Sequence, residues 1–353
     1  MSLTSLKRVI SLFVVAVVIA TSLSTPALAS AATQVQPPKL ALVSARDNIT
    51  GSFTTSQSVY ATQSYIYLAS SQGTLFVLKR SKSENFPLVE QVNIGSPLTS
   101  VRGYGSKLFV ASMDGYLRQY STTNPLTLVR SVQVSSYGLS AIAITNNTVY
   151  VAKGQTSLAV DSSNLYLSQL NEGEVAVALN NNLEVTKTFG TTFEPGLTVA
   201  YSRSTGARIG AVANPITVLN ETGFPSLFSF SGNLFQTVPG CCGDGVSVTP
   251  TRTLTDTRVV SQPYANAVSV NSKGLVIGDE LGKVSLYKLS NSSATKLKTV
   301  DLRQLTNNTG SEDIEIRSVW SDGYDNLVFA ASSWGNTTTQ NASLPSVFIL
   351  EAN

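Results

Sequence analysis

Lys107–Tyr120 reads KLFVASMDGYLRQY, and the rest of the chain is read outward from it. An apolar run, Leu108–Ala111, leads into Asp114-Gly115, and an alternating run, Tyr116–Tyr120, leads away. Asp-Gly tolerates the positive φ angles of a tight hairpin turn, and the flanking residues suit a half-buried pleated surface. The stretch therefore predicts a β-hairpin. The pattern recurs at Tyr65–Leu78 (YIYLASSQGTLFVL), Gly274–Tyr287 (GLVIGDELGKVSLY) and Asn326–Gly335 (NLVFAASSWG), whose second strand falls at Val347–Glu351. Weaker copies read at Thr148–Ala152, Leu197–Gly206 and Asn233–Thr237.

Short apolar runs precede the good copies at Ser58–Ala61, Leu98–Arg102, Leu139–Ile144, Ala265–Val270 and Ile316–Trp320. Others follow at Leu88–Ile94, Leu126–Val134 and Lys296–Leu302. Each unit thus holds about four strands and recurs every roughly 40 residues, the period of a four-stranded propeller blade. The prediction is an all-β chain, a β-propeller of about seven blades with six or eight open, against a β-sandwich pair or β-solenoid as alternatives. Stacked blades bury each other's faces, and ring closure removes exposed sheet edges. Lys39–Ser44 (KLALVS) is placed to complete the last blade beside Val347–Glu351. In Gln155–Pro195, Ser163–Leu170 and Val175–Leu179 read as strands, and Leu170–Val185 could equally hold a short helix. A degenerate blade or an insertion is expected there.

The runs Leu108–Leu117, Leu68–Leu75 and Leu275–Val284 resemble quinoprotein-like, or YVTN/WD40-like, β-propeller repeats. The resemblance spans most of the chain after the leader and implies the fold. Propellers of this kind host dehydrogenases, hydrolases, lyases and purely binding proteins, so the resemblance alone assigns no activity.

Met1–Ala31 has the pattern of a secretory signal: basic Lys7 and Arg8, apolar Val9–Ala20, and small-x-small sites at Ala27-Leu28-Ala29 and Ala29-Ser30-Ala31. The apolar run is shorter than the about 20 residues of a spanning helix. Ala32–Pro38 reads as a linker and residues 39–353 as the propeller domain. The expected place of the mature chain is outside the cytoplasm, secreted or at the cell surface, with no transmembrane span. Lys+Arg number 24 and Asp+Glu 21, and loss of Lys7 and Arg8 with the leader brings the balance close to neutral. No basic stripe is interleaved with aromatics, so nucleic acid is not an expected partner. Asn-x-Ser/Thr sequons at Asn48, Asn146, Asn220, Asn291, Asn307, Asn336 and Asn341 lie in polar stretches between apolar runs and predict a glycoprotein.

The chain has no histidine. Ser-His-Asp and Cys-His machinery and His-ligated zinc, iron and copper are therefore excluded. Acid–base work falls to Asp, Glu, Lys and Tyr. Asp244, Asp279 and Asp322 are the candidate channel or loop carboxylates, with Glu280, Asp325 and the run Glu312-Asp313-Ile314-Glu315 behind them. Asp114, Asp244 and Asp279 each lie near a turn glycine, which hairpin chemistry also explains. The Glu312–Glu315 run reads as a solvated loop. No phosphate-binding loop occurs, and no metal or cofactor is expected. Cys241 and Cys242 are the only cysteines and are adjacent, flanked by Gly240 and Gly243. In an oxidising compartment they predict a vicinal disulfide that stiffens a turn. Some quinoprotein dehydrogenases carry such a pair against their cofactor, and Cys241-Cys242 resembles it. Against that stand just two tryptophans, Trp320 and Trp334, and no calcium-ligand set.

The expectation is a secreted, glycosylated β-propeller that binds a protein, glycan or small-molecule ligand at its centre or on its loops. The alternatives are an extracellular enzyme on the same scaffold, a dehydrogenase or a hydrolase with an Asp at the channel mouth, and a structural cell-surface component. An enzyme predicts converging carboxylates in a deep channel. A binding module predicts a face of aromatic and polar side chains, and an assembly component predicts self-association.

Overall fold

The structure, a computed structural model, describes residues 40–352 apart from 48–55, 145–147, 154–155, 162–166, 173, 180–182, 189–196, 203–204, 206, 214–226, 238–244, 251–257, 291–292, 306–312 and 336–344. The leader and linker, Cys241, Cys242, Asp244, Glu312 and all the sequon asparagines lie outside the described residues. Contacts gather Pro38–Asn353 into one compact unit.

Strand follows strand. After β1 (Leu40–Asp47), the first sheet holds β2 (Ser56–Ala61), β3 (Tyr65–Ser70), β4 (Thr74–Lys79) and β5 (Leu88–Asn93). The second holds β6 (Leu98–Tyr104), β7 (Lys107–Ser112), β8 (Tyr116–Ser121) and β9 (Leu128–Gln133). The third holds β10 (Leu139–Ile144), β11 (Thr148–Lys153), β12 (Thr156–Asp161) and β13 (Leu167–Glu172). The fourth holds β14 (Glu174–Leu179), β15 (Leu183–Thr188), β16 (Leu197–Ser202) and β17 (Arg208–Ala213). The fifth holds β18 (Leu227–Phe230), β19 (Asn233–Thr237), β20 (Gly245–Pro250) and β21 (Arg258–Ser261). The sixth holds β22 (Ala265–Asn271), β23 (Gly274–Asp279), β24 (Lys283–Leu289) and β25 (Ala294–Asp301). The seventh joins β26 (Asp313–Trp320), β27 (Leu327–Gly335) and β28 (Pro345–Ala352) to β1. Pairing is antiparallel throughout, and among the described residues helix is confined to one turn, Leu302–Leu305.

The predicted hairpin is there: β7 and β8 straddle Asp114-Gly115. Gly115 has φ +78°, and a Cβ on it would fall 2.0 Å from the carbonyl oxygen of Ser135. Its own carbonyl accepts the N–H of Val134 at 2.9 Å. Glycine is needed there for both the backbone angle and the close approach. Gly73 and Gly282 repeat the arrangement, their carbonyls accepting from Ile94 and Leu302. The same turn thus tethers the exit of the outermost strand in three sheets.

The core lies between neighbouring sheets. Tyr67, Leu75 and Val77 of the first sheet meet Val101, Leu108 and Val110 of the second. Phe109 and Leu117 meet Ile142 and Val149 of the third. Phe235 and Val248 of the fifth meet Val268 and Ile277 of the sixth, and Val276 and Val284 meet Ile316 and Val319 of the seventh. The opening strands of the sheets touch in sequence, β2 to β6, β6 to β10, β10 to β14, β14 to β18, β18 to β22 and β22 to β26, and β26 touches β2.

The seam where the seventh sheet meets the first is specially built. β1 pairs with β28 from Leu40 opposite Ala352 to Asp47 opposite Pro345, so early and late segments share one sheet, as KLALVS predicts. Phe86, in the loop after β4, is buried with Phe76, Leu327, Phe329 and Ile349. From the same loop Asn85 accepts a hydrogen bond from the Ser44 hydroxyl (2.7 Å), and Lys82 meets Glu351 (2.9 Å).

Three expectations are corrected. The stretch open to a helix, Leu170–Val185, is strand in β13, β14 and β15, and Gln155–Pro195 is shared by two sheets of ordinary strand count rather than an insertion. Alternation in EVAVAL and LEVTKT suits a pleated strand and outweighs the helix-compatible Ala and Glu. Leu197–Ser202 is the third strand of its sheet, not the second, so that weak copy was out of phase by one strand. The Glu312–Glu315 run is not all loop: Asp313–Glu315 begins β26, and Glu315 pairs with Arg317.

Candidate functional site

The opening strands share a short pattern that places one side chain from each sheet at the same level. Ser58-Val59-Tyr60, Ser100-Val101-Arg102 and Ser318-Val319-Trp320 stand in register, with Val59 opposite Leu68, Val101 opposite Val110 and Val319 opposite Ala330. The central Val points into the sheet-to-sheet core and is fully buried or nearly so. Its period-2 successor, on the opposite face, is only half-buried. A register jump just before the triplet recurs in β2, β6 and β26 and bends each strand at the same point.

The serines bind one sheet to the next. Ser318 Oγ accepts the Val59 N–H (3.2 Å), and Ser58 Oγ accepts the Val101 N–H (3.2 Å). These amides face away from their own sheet partners, and an unpaired buried amide is costly. Thr99 and Asn266 add the reverse link, donating to the carbonyls of Leu139 (2.7 Å) and Ile316 (3.3 Å).

At the level of the residue after Val, Tyr60, Arg102, Phe228 and Trp320 come together. The Trp320 ring lies 4.9 Å from Tyr60 edge-on and 6.4 Å from Phe228. Arg102 Cζ stands 5.4 Å from the Trp320 ring centroid. Gly103 makes room: a Cβ on it would sit 2.4 Å from the Tyr60 ring. The remaining sheets contribute small residues at the equivalent register, Ala143, Ala178 and Ser269.

Arg102 has no carboxylate partner among the described residues. Its hydrogen bonds all run through Nη1, to Ser58 Oγ (3.1 Å) and to the carbonyls of Val59 (3.3 Å) and Val101 (2.7 Å). Burial without an opposing charge pulls its pKa down to about 10, with Tyr60 acting the other way. Burial raises the Tyr60 pKa; Arg102 lowers it and Asp322 adds to the rise. Trp320 Nε1 is buried and makes no hydrogen bond among the described residues.

The sequence-predicted carboxylates have other employment. Asp322 and its neighbour Asp325, in the turn after β26, hold Arg80, which is 2% exposed. Nη1 of Arg80 reaches Asp322 Oδ2 at 2.7 Å, Nε reaches Asp325 Oδ2 at 3.0 Å, and Nη1 also donates to the Thr62 carbonyl. Burial lowers the Arg80 pKa, and the two carboxylates more than reverse it. Phe329 and Tyr324 flank the guanidinium at 5.0 and 5.8 Å. This cluster locks the first sheet to the seventh.

Asp279 is 1% exposed. It accepts from the N–H groups of Leu281 and Lys283 and from Gln262 Nε2. Gln262 Oε1 in turn accepts from Ser285, Tyr287 and Lys296. Burial raises the Asp279 pKa against those donors, and burial with Asp279 nearby pushes Tyr287 up to about 12. The network ties the fifth sheet to the sixth. Asp322 follows the end of an opening strand and Asp279 the end of a second strand, which runs the other way, so the two lie at opposite ends of the sheets. No group of three metal-ligating side chains occurs among the described residues. No helix among them is long and apolar enough to cross a membrane.

A second concavity, about 780 Å³, opens between the fifth and sixth sheets, lined by Phe230, Phe235, Val248, Lys273, Lys288 and Leu289. Tyr60, Arg102, Phe228 and Trp320 were not singled out from the sequence. The signal was present as S-V-Y, S-V-R and S-V-W, which emerge once the first strands are aligned on the residue before the bulge.

Fold and site together define an all-β protein of repeated four-stranded sheets with an aromatic, cationic layer between its opening strands. No family model matches the chain, and no curated protein matches it. Solved structures do match in fold, among them a computationally designed protein, Ika8, with TM-score 0.57 over 88% of this chain and 99% of that one. At 11% identity the likeness is one of fold alone.

Proposed function

We propose that the chain is a seven-bladed, quinoprotein-like β-propeller that works outside the cytoplasm as a ligand-binding module. The propeller reading is supported by the sevenfold sheet repeat, the sequential contacts of the opening strands that return to β2, and the completion of the last sheet by β1. Location outside the cytoplasm and glycosylation rest on the pattern of Met1–Ala31 and on the sequons.

One observation carries the binding reading. Asp279 and Asp322, two of the three carboxylates an enzyme would draw on, are engaged by the fold, while the central layer offers a guanidinium with no acid, and an indole N–H with no acceptor, among the described residues. Such a layer is suited to holding a ligand rather than to converging carboxylates on one.

Native mass spectrometry on protein recovered from its host's medium and cell surface, with and without reductant, tests the reading. The expected species lacks the leader, carries glycan mass, shifts by two protons on reduction of Cys241–Cys242, and releases a small molecule unchanged. A full-length cytoplasmic species, or a retained quinone or metal, would overturn it.

A further inference from the structure

We propose that the central layer binds a small organic anion, a carboxylate on a flat body, held by the Arg102 guanidinium beside the contacting rings of Tyr60 and Trp320. This rests on the binding-module reading and names its ligand.

The charge of Arg102 is unanswered. Its described acceptors are all neutral oxygens, and all take the same nitrogen, Nη1. The edge formed by Nη2 and Nε makes no hydrogen bond among the described residues. That edge is the planar fork that matches a carboxylate with paired N–H donors. Asp322, which acts on the neighbouring Tyr60, is already gripped by Arg80 at 2.7 Å. An anion placed here meets a cation in a half-buried site, where the attraction exceeds its value in water.

A second donor points to the same kind of ligand. Buried side-chain donors without an acceptor are rare in native proteins, and each calls for an explanation. Trp320 Nε1 is one, within the layer that holds Arg102. The Tyr60 hydroxyl also lacks a partner among the described residues and stays protonated at neutral pH, because burial raises its pKa. Guanidinium and indole supply donors only, the phenol adds an O–H that can donate, and an oxyanion supplies acceptors only.

The body of the ligand follows from the walls. Tyr60, Trp320 and Phe228 present rings, and Ala143 is small at the same register. Ring walls favour a planar group that stacks, which a spherical phosphate or sulfate does not.

Trp320 is its own reporter once Trp334→Phe removes the other tryptophan. Sodium benzoate and neutral benzamide are titrated into that protein at low ionic strength, following tryptophan emission. Benzoate is expected to give a saturable change and to bind about tenfold or more tighter than benzamide. Arg102→Gln is expected to bring benzoate down to the benzamide level, while Arg102→Lys, which keeps the charge without the fork, retains part of the difference. Equal binding of benzoate and benzamide, or no effect of Arg102→Gln, overturns the anion inference and leaves an aromatic binding site standing. No change in emission with either compound overturns the central site itself. Inorganic phosphate displacing benzoate at equal concentration overturns the preference for a flat carboxylate.

Discussion

Arg80 and Arg102 are both drawn into the protein, both face aromatic rings and both lie beside the junction of the first and seventh sheets, yet their surroundings are opposite. Arg80 is gripped by Asp322 and Asp325 and donates to the Thr62 carbonyl. Arg102 has three neutral oxygens on one nitrogen and no acid. Arg118 falls between them: one carboxylate, Asp114, takes Nη2 at 2.6 Å, at the turn of the hairpin that decides the fold. Charge matched by charge holds sheets together; charge left unmatched is available to something else. The same truncation at each arginine therefore gives different answers.

Arg80→Met makes the largest change. It leaves two carboxylates facing a buried apolar surface at the seam, and loss of about 3–5 kcal/mol is expected in urea unfolding, the usual cost of stripping one partner from a buried pair. A loss under about 1 kcal/mol would place the Arg80 cluster with surface ion pairs and remove the contrast. Ser58→Ala comes next. It orphans the Val101 N–H and takes one acceptor from Arg102, so about 1–3 kcal/mol is expected, again by urea.

Arg118→Met is smaller, about 0.5–1 kcal/mol at neutral pH, because the pair is partly exposed. Its size depends on pH. Burial raises the Asp114 pKa, but bonds from Arg118, Ser112 and the Tyr116 N–H bring it below the ordinary value. The contribution is complete above the unfolded-state pKa and drains away as pH falls through the depressed one. Thermal melts from pH 7 downward should show wild type and variant converging in acid; a constant gap would mean the arginine acts through packing alone.

Arg102→Met should shift stability least, within about 1 kcal/mol of zero and in the favourable direction, since it removes a desolvated charge that no acid compensates. A loss as large as that of Arg80→Met would make Arg102 a structural residue and end the comparison.

Much of the fold could be read from hairpin chemistry. Asp114-Gly115 and Leu281-Gly282 place their strands because glycine alone reaches the required backbone angle against a close neighbour. At Leu197–Ser202 the reading lost phase although Gly206 follows: the segment alternates like any strand, and nothing local says which of the four it is. The site was less legible. Tyr60, Arg102 and Trp320 lie far apart in sequence, and each looks like an ordinary strand residue. Only sheet stacking brings S-V-Y, S-V-R and S-V-W to one level. Asp279 and Asp322 misled for the opposite reason, since an aspartate beside a turn looks the same whether it caps that turn, grips a distant arginine or faces a channel.

The pairing of β1 with β28 carries a consequence in time. Leu40–Asp47 is synthesised before the other described strands, and its partner, Pro345–Ala352, after them. Throughout elongation β1 remains an apolar strand with an unsatisfied edge, the kind of segment that recruits wrong partners, while the sheets that follow can each close on local hairpins. The seventh sheet is completed by its earliest-made strand, and the pairing of β1 with β28 is the step most exposed to failure.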